Sequence, residues 1–271
     1  MWINGIRQLT LAASDRGLQF GDGCFTTAAV RQGKVLLMAR HIQRLKEGCE
    51  RLWIRGIDWS QLEAEMQQAA RDQTQAVLKV ILSAGSGGRG YSRTGTGEPT
   101  RILSLAPWPQ HYTALQQRGA SLALSPIRLA RNAQFAGIKH LNRLEQVMIR
   151  AHLDRTDADE ALVLDTEGWV VECCAANLFW RQGADIFTPD LACSGVDGIM
   201  RRSLMAHLAA AGQTCHVVQS EPQQLLAADE VVICNALMPV LPVRQIETVS
   251  FTARALFNQL HAGCEKIMDA S

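Results

Sequence analysis

The stretch VVECCAANLFW, Val170–Trp180, places one carboxylate at the end of an apolar strand and follows it with small residues, Cys173 to Ala176. A strand-end glutamate is usually solvated or paired. Here the small residues leave room beside Glu172 for something flat. Further along, GVDGIMR, Gly195–Arg201, opens a helix with Asp197 as its expected N-cap and Gly212 as its stop. Gly198, Ile199 and Met200 fall in the first turn, where backbone N–H groups lack helical partners and the dipole favours an anion. Upstream, AGIKHLNRLEQ, Ala136–Gln146, carries Lys139, one of five lysines in the chain. Composition alone makes Lys139 a surface charge; its place between a glycine-bounded loop and an amphipathic stretch raises a second possibility, a nucleophile.

A chain of 271 residues suffices for one large or two modest domains with a buried core. The net charge of +1 supplies no long-range field for nucleic acid or an anionic membrane, so the expected partner is a small molecule. No apolar run approaches the ~20 residues of a membrane span, and the start MWINGIRQLTLAASD has no signal-peptide layout. Eight cysteines are scattered apart from the adjacent Cys173–Cys174, and no CxxC pair occurs. That excludes zinc-knuckle and thioredoxin-type motifs, and a reduced, cytoplasmic protein with no metal site is expected.

Strand-like runs at FTTAAVRQGKVLLM, turning at Gln32–Gly33, and at Ala76–Ser83 and Arg101–Ala106 are interleaved with helical spacing from His41 to Leu52 and from Asp58 onward. PWPQHY, Pro107–Tyr112, breaks the pattern with two prolines. The expected division is a small α/β domain at residues 1–107, a linker at 108–116, and a larger domain at 117–271. In the second part a helix is expected from Leu141 to Leu153, with Leu141, Leu144, Val147, Met148 and Ala151 on one face. ALVLD and GWVVE read as a hairpin, and LFW and DIFTP as a further pair of strands. Without regular βαβ alternation, the fold class is α+β.

GSGGRG, Gly85–Gly90, satisfies G-x-G-x-x-G after a strand. A dinucleotide site also needs a helix to begin there, and YSRTGTGEP cannot start one. The glycines instead permit a tight loop from which Arg89 and Tyr91 project, forming a wall of a substrate gate.

Taken together, Glu172, Asn177, Phe179, Ile186, Thr188, Gly198 and Arg201, with Lys139 upstream, resemble the signature of the class IV aminotransferase family, the fold-type-IV pyridoxal phosphate enzymes. SDRGLQFGDGCFTT, HIQRL and CNALMPVLPV look like the family's too, so the resemblance covers nearly the whole chain. Within the family, FGDGCFTT, GSGGRGY, GIKHLNRLEQ, ECCAANLFW and CNALMPV look like bacterial members that act as lyases on 4-amino-4-deoxychorismate. They look less like branched-chain or D-amino acid aminotransferases, which are the alternative.

The resemblance implies a two-domain fold whose larger domain has a barrel-like β core, and a homodimer. It implies pyridoxal 5′-phosphate as cofactor, and conversion of aminodeoxychorismate to 4-aminobenzoate and pyruvate, a step towards folate. Lys139 would hold the cofactor covalently and, once freed, remove the substrate C4 proton. Glu172 would pair with the pyridine N–H. Arg44, the N–H groups of Ile199 and Met200, and Asn235 with Ala236 would hold the phosphate. Phe25 and Thr27 alternate along one strand and face the same side, which the resemblance makes the substrate pocket. Thr27 would bond or protonate the leaving enolpyruvyl group. Relatives commonly carry an arginine before Gly85, where this chain has Ala84, and Arg89 is the candidate replacement. A non-catalytic carrier of the same cofactor is disfavoured, because lysine, glutamate and arginine are all retained.

Overall fold

A computed structural model describes residues 1–238 and 240–269. Two compact units emerge, Met1–Trp108 with Ile138–Asn142, and Pro109–Gly137 with the described residues from Arg143 onward. Pro239, inside the CNALMPVLPV stretch, lies outside the described residues.

The first unit contains β1 (Trp2–Ile3), β2 (Ile6–Arg7), α1 (Arg16–Phe20), β3 (Gly23–Arg31), β4 (Lys34–Val35), α2 (Met38–Arg51), α3 (Trp59–Ala70), β5 (Gln75–Ser83) and β6 (Thr100–Pro107). Its strands form one antiparallel sheet in the order β2-β1-β6-β5-β3-β4. Period-two alternation sends Cys24, Ala28, Leu78, Val80 and Leu82 into a core with Ile42, Leu45, Leu62 and Met66 of α2 and α3. Full burial of each large aliphatic side chain contributes about 1.5–3 kcal/mol, which fixes the register and hence which residues face the other way. The β3–β4 turn falls at Gln32–Gly33 as expected, both in the left-handed region at φ 49° and 73°, the geometry of a two-residue hairpin.

The second unit contains α4 (Tyr112–Arg118), β7 (Ala120–Leu124), α5 (Leu144–Leu153), β8 (Glu160–Leu164), β9 (Val170–Cys173), β10 (Asn177–Gln182), β11 (Asp185–Pro189), α6 (Ile199–Ala210), β12 (Cys215–Val218), α7 (Pro222–Leu226), β13 (Glu230–Cys234), β14 (Leu241–Ile246), β15 (Val249–Ser250) and α8 (Ala255–Asp269). Its mixed sheet runs β12-β11-β10-β13-β14-β7-β8-β9, with β15 on β14. Strand β9 turns directly into β10 through Cys173 N–H donating to Ala176 O at 2.7 Å, and the two strands touch. The sheet therefore curls back on itself around Leu122, Leu162, Leu178, Trp180, Ile233 and Val243. The fold is α+β with a barrel-like core in this unit.

Residues 112–118 form α4 and pack in the second unit. One local expectation needs correction. The helix expected from Leu141 begins at Leu144, because the backbone of 138–142 is committed to β3: Leu141 N–H donates to Gly23 O at 2.9 Å. Of the apolar face expected on this helix, Leu144, Val147 and Met148 lie outward, 71%, 59% and 50% exposed, while Ile149 and Leu153 are buried. Apolar residues ring much of this helix, so periodicity alone does not say which side is covered.

Candidate active site

In the first unit the lysine segment runs beside β3. Phe25 N–H donates to Lys139 O at 2.9 Å, which fixes the start of the Lys139 side chain against the strand. The Lys139 Nζ lies 4.7 Å from the centroid of the Phe25 ring, and the Nζ of Lys79 lies 5.0 Å from it. Lys79 stands directly opposite Thr27 in the β3–β5 register. Phe25 and Thr27 are half-buried on this face, while Cys24, Thr26 and Ala28 are buried beneath α2. Two ammonium groups thus flank one aromatic ring. Each cation–ring contact contributes about 0.5–2 kcal/mol, depending on desolvation.

Arg44 sits on the turn of α2 between His41 and Gly48, close enough that its charge acts on the Cys24 thiol and the His41 ring. His41 Nδ1 and Thr26 Oγ1 share a buried hydrogen bond of 2.6 Å. Burial first, and the Arg44 charge second, push the His41 pKa down to about 3, so the ring is neutral. The helix carrying Arg44 is therefore tied to the strand carrying Thr27 without adding charge.

The glycine loop after β5 is held from outside. Buried Arg16 donates to the carbonyls of Gly90, Tyr91 and Ser92, each at 3.1 Å, and its Nε donates to Asp22 at 2.8 Å. Arg93 also binds the Asp22 carboxylate. Gly85, at φ 86°, has backbone of Gly97 and Glu98 where a Cβ would go. Arg89 and Tyr91 are exposed on this loop. Ala84 points into the core with Leu82 and Ile54, away from the Lys79 face.

In the second unit Glu172 is buried, and its Oε2 accepts from Val196 N–H at 2.8 Å. Gly195, at φ 81°, makes this approach possible, since a Cβ there would lie 2.6 Å from Val171 Cγ1. Half-buried Arg143 lies close enough for its charge to act on the same carboxylate; desolvation lowers its pKa while Glu172 and then Glu145 act to raise it.

Helix α6 begins at Ile199 with Gly198 as N-cap and no side-chain cap. Asp197, the expected cap, instead binds Arg201 at 2.9 Å and Arg202 at 2.6 Å. Two nearby guanidiniums outcompete a neutral N–H for its carboxylate. The first-turn N–H groups of Ile199 and Met200 are thereby left for an external acceptor. Asn177 Nδ2 donates to Val196 O at 2.9 Å and its Oδ1 occupies the space a side chain at Gly198 would need. Buried Arg201 completes the frame with bonds to Thr188 Oγ1 at 3.1 Å and Pro189 O at 2.9 Å. Asn235 accepts from Leu237 and Met238 N–H in its own loop and donates across to Ala175 O in the β9–β10 turn; half-buried Ala236 follows it.

The amino-transferase class IV family model matches residues 23–246. The chain belongs to the class IV aminotransferase family. It is 38% identical over 246 residues to the aminodeoxychorismate lyase of Vibrio harveyi, covering 90% of each chain. It superposes on the crystal structure of 4-amino-4-deoxychorismate lyase from Pseudomonas aeruginosa with a TM-score of 0.94 at 36% identity, covering 99% of both chains. A PLP-bound hypothetical aminotransferase from Mycobacterium tuberculosis gives a TM-score of 0.85 at 18% identity, over 97% of this chain and 94% of that one, a likeness of fold alone.

Two charged residues of this class IV aminotransferase chain escaped the sequence. Lys79 looked like a polar interruption of an apolar strand, although a lone lysine amid AVLKVILS is itself a signal of a solvated face. Arg143 follows Lys139 by four residues, but nothing in the spacing shows that its charge acts on Glu172.

Proposed function

We propose that the chain is a pyridoxal phosphate-dependent lyase converting 4-amino-4-deoxychorismate to 4-aminobenzoate and pyruvate. The observation that carries it is the end-to-end likeness to two lyases of that name. The donor set fits the cofactor: an uncapped helix start with a glycine cradle for a phosphate, a buried carboxylate flanked by small residues for a protonated ring nitrogen, and an amine for its aldehyde carbon.

When bound, pyridoxal phosphate supplies an electrophilic carbon and a ring that draws electrons from the carbon losing its proton. Lys139 would supply the amine that holds the cofactor and the base that removes the proton at substrate C4; a positioned base is worth ~10²–10⁴-fold. Glu172 keeps a proton on the ring nitrogen, with Arg143 favouring its charged form. Arg44, the N–H groups of Ile199 and Met200, and the Asn235–Ala236 loop hold the phosphate, the last through its backbone. Thr27 directs its hydroxyl to the leaving enolpyruvyl oxygen as the C–O bond breaks, and Phe25 lines that pocket. Lys79 offers the cation for a substrate carboxylate that Ala84 does not supply, and Arg89 stands on the gating loop.

An aminotransferase would use the same lysine, glutamate and phosphate donors. Incubation with aminodeoxychorismate separates the two activities: 4-aminobenzoate and pyruvate should appear together in equal amounts. Conversion to the amino form of the cofactor with alanine, and no aminobenzoate from aminodeoxychorismate, would overturn the lyase assignment.

The outward stripe of Leu144, Val147 and Met148 supports a homodimer, because contiguous exposed apolar residues on one helix mark an association surface. Eight free cysteines support a reducing, cytoplasmic setting. No described helix is long and apolar enough to cross a membrane.

A further inference from the structure

A cavity of about 220 Å³ opens in the first unit, lined by Trp53, Ile54, Arg55, Ala84, Arg93 and Pro99 among others. It lies on the helix-covered side of the sheet, where Ala84 packs with Ile54 and Leu82, not on the Lys79–Phe25 face. No lining residue is acidic.

Trp53 is 76% exposed and held at φ 56°, in the left-handed region that L-residues rarely adopt. Arg93 Nη1 fixes this bend by donating to Leu52 O at 2.7 Å and Trp53 O at 3.1 Å. The backbone thus keeps a large aromatic ring out of the core and beside a cavity. The bend is the left-handed turn that ends α2, closed by Ile54 N–H donating to Cys49 O at 2.8 Å.

Charge favours an anion. Arg93 and Arg16 share the single carboxylate of Asp22. Burial alone would raise its pKa, yet hydrogen bonds from Arg93 and Arg16 hold it below the usual range. That leaves one surplus positive charge, and Arg55 adds a second. Arg55 forms no ion pair among the described residues. The exposed Glu98 lies on the neighbouring turn, 3.4 Å from where a Cβ on Gly56 would stand.

Shape and donor supply narrow the ligand. Every nitrogen of the Arg93 guanidinium is already engaged with Asp22, Leu52 or Trp53, so a multiply charged oxyanion such as phosphate would find too few donors. Ile54, Ala84, Pro99 and the indole offer apolar contact instead. Drug-sized ligands occupy roughly 300–1,000 Å³, and this smaller space suits a single ring.

We propose that the cavity binds a single-ring aromatic carboxylate, its ring against the indole of Trp53 and its carboxylate on Arg55. The proposed product, 4-aminobenzoate, belongs to this class, but the site does not depend on that reaction.

The test uses the cofactor-loaded enzyme and benzoate, with cyclohexanecarboxylate and aniline as controls. In a ¹H–¹⁵N spectrum, the indole N–H resonance missing from Trp53→Phe should move saturably with benzoate. Aniline and cyclohexanecarboxylate should shift it about tenfold more weakly, as should benzoate in Arg55→Gln. Ala84→Arg, which fills the space, should abolish the shift. A Trp53 resonance unmoved by benzoate, or equal response to all three compounds, overturns the proposal without touching the lyase assignment. Production of 4-aminobenzoate tests that assignment separately.

Discussion

Gly198 lies so close to Asn177 that a Cβ built on it would overlap the amide oxygen. The start of α6 therefore tolerates no side chain at the position where its N–H groups open outward. Gly198→Ala should displace Asn177 or the turn, at about 1–3 kcal/mol. Titration of the apoprotein with pyridoxal phosphate should show affinity reduced about tenfold or more. Unchanged affinity would remove the α6 start from the phosphate site.

Lys79 should act on substrate and not on cofactor. Lys79→Met is expected to lower kcat/KM about 10–100-fold, the worth of one charged hydrogen bond, with the visible cofactor spectrum intact. Lys79→Arg should recover part of the loss. A purely structural lysine would instead show a lower melting temperature and no change in KM.

Lys139→Ala should lose the visible band that covalent attachment produces, and turnover should fall at least ~10²-fold. Glu172→Gln should keep the band and still lose most turnover, since an amide cannot hold the ring proton as a carboxylate does. Steady-state assays beside absorbance spectra distinguish the two variants; normal turnover in Glu172→Gln would eliminate its role.

His41 gives the fold an acid sensitivity. Its pKa is about 3 in the folded chain against an ordinary 6.5. Below pH 6.5 the unfolded chain binds a proton that the folded chain refuses, so stability falls as pH drops towards 3. The slope from this one group is about 1.4 kcal/mol per pH unit. Urea unfolding of His41→Asn between pH 4.5 and 6.5 should show a shallower dependence by that amount. An identical slope in both proteins would show that His41 does not titrate on unfolding.

Met148→Glu places a charge in the exposed stripe of α5. Light scattering should report a dimer for the wild type and a monomer for the variant, with unchanged circular dichroism. A dimer of undiminished stability would assign the interface to another face.

Much of the site was legible where one interaction dominates a short stretch. Phe25 and Thr27 share a face because β3 alternates over a single apolar core. The start of α6 was legible because glycine before Ile199 and Met200 has a backbone meaning. Asp197 was misassigned because capping competes with ion pairing, and Arg201 and Arg202 win. Lys79 depends on pairing with Thr27, a register set by strands more than forty residues apart in the sequence. Which way the apolar face of α5 points was not legible, because periodicity shows that a helix is amphipathic, not what covers each side. The proposal that Lys139 is more than a surface charge rests on residues far from it in sequence.

The Arg16 clamp has a temporal consequence. Its three carbonyl partners lie 74 to 76 residues downstream, so the glycine loop cannot settle until the N-terminal segment has docked and β5 and β6 have paired. During synthesis the residues around Tyr91 emerge with only short local turns, such as Ser92 N–H to Arg89 O at 3.1 Å, to order them. They become a fixed wall only when a residue made long before closes over them, which makes this loop a late event in maturation and an early casualty of N-terminal damage.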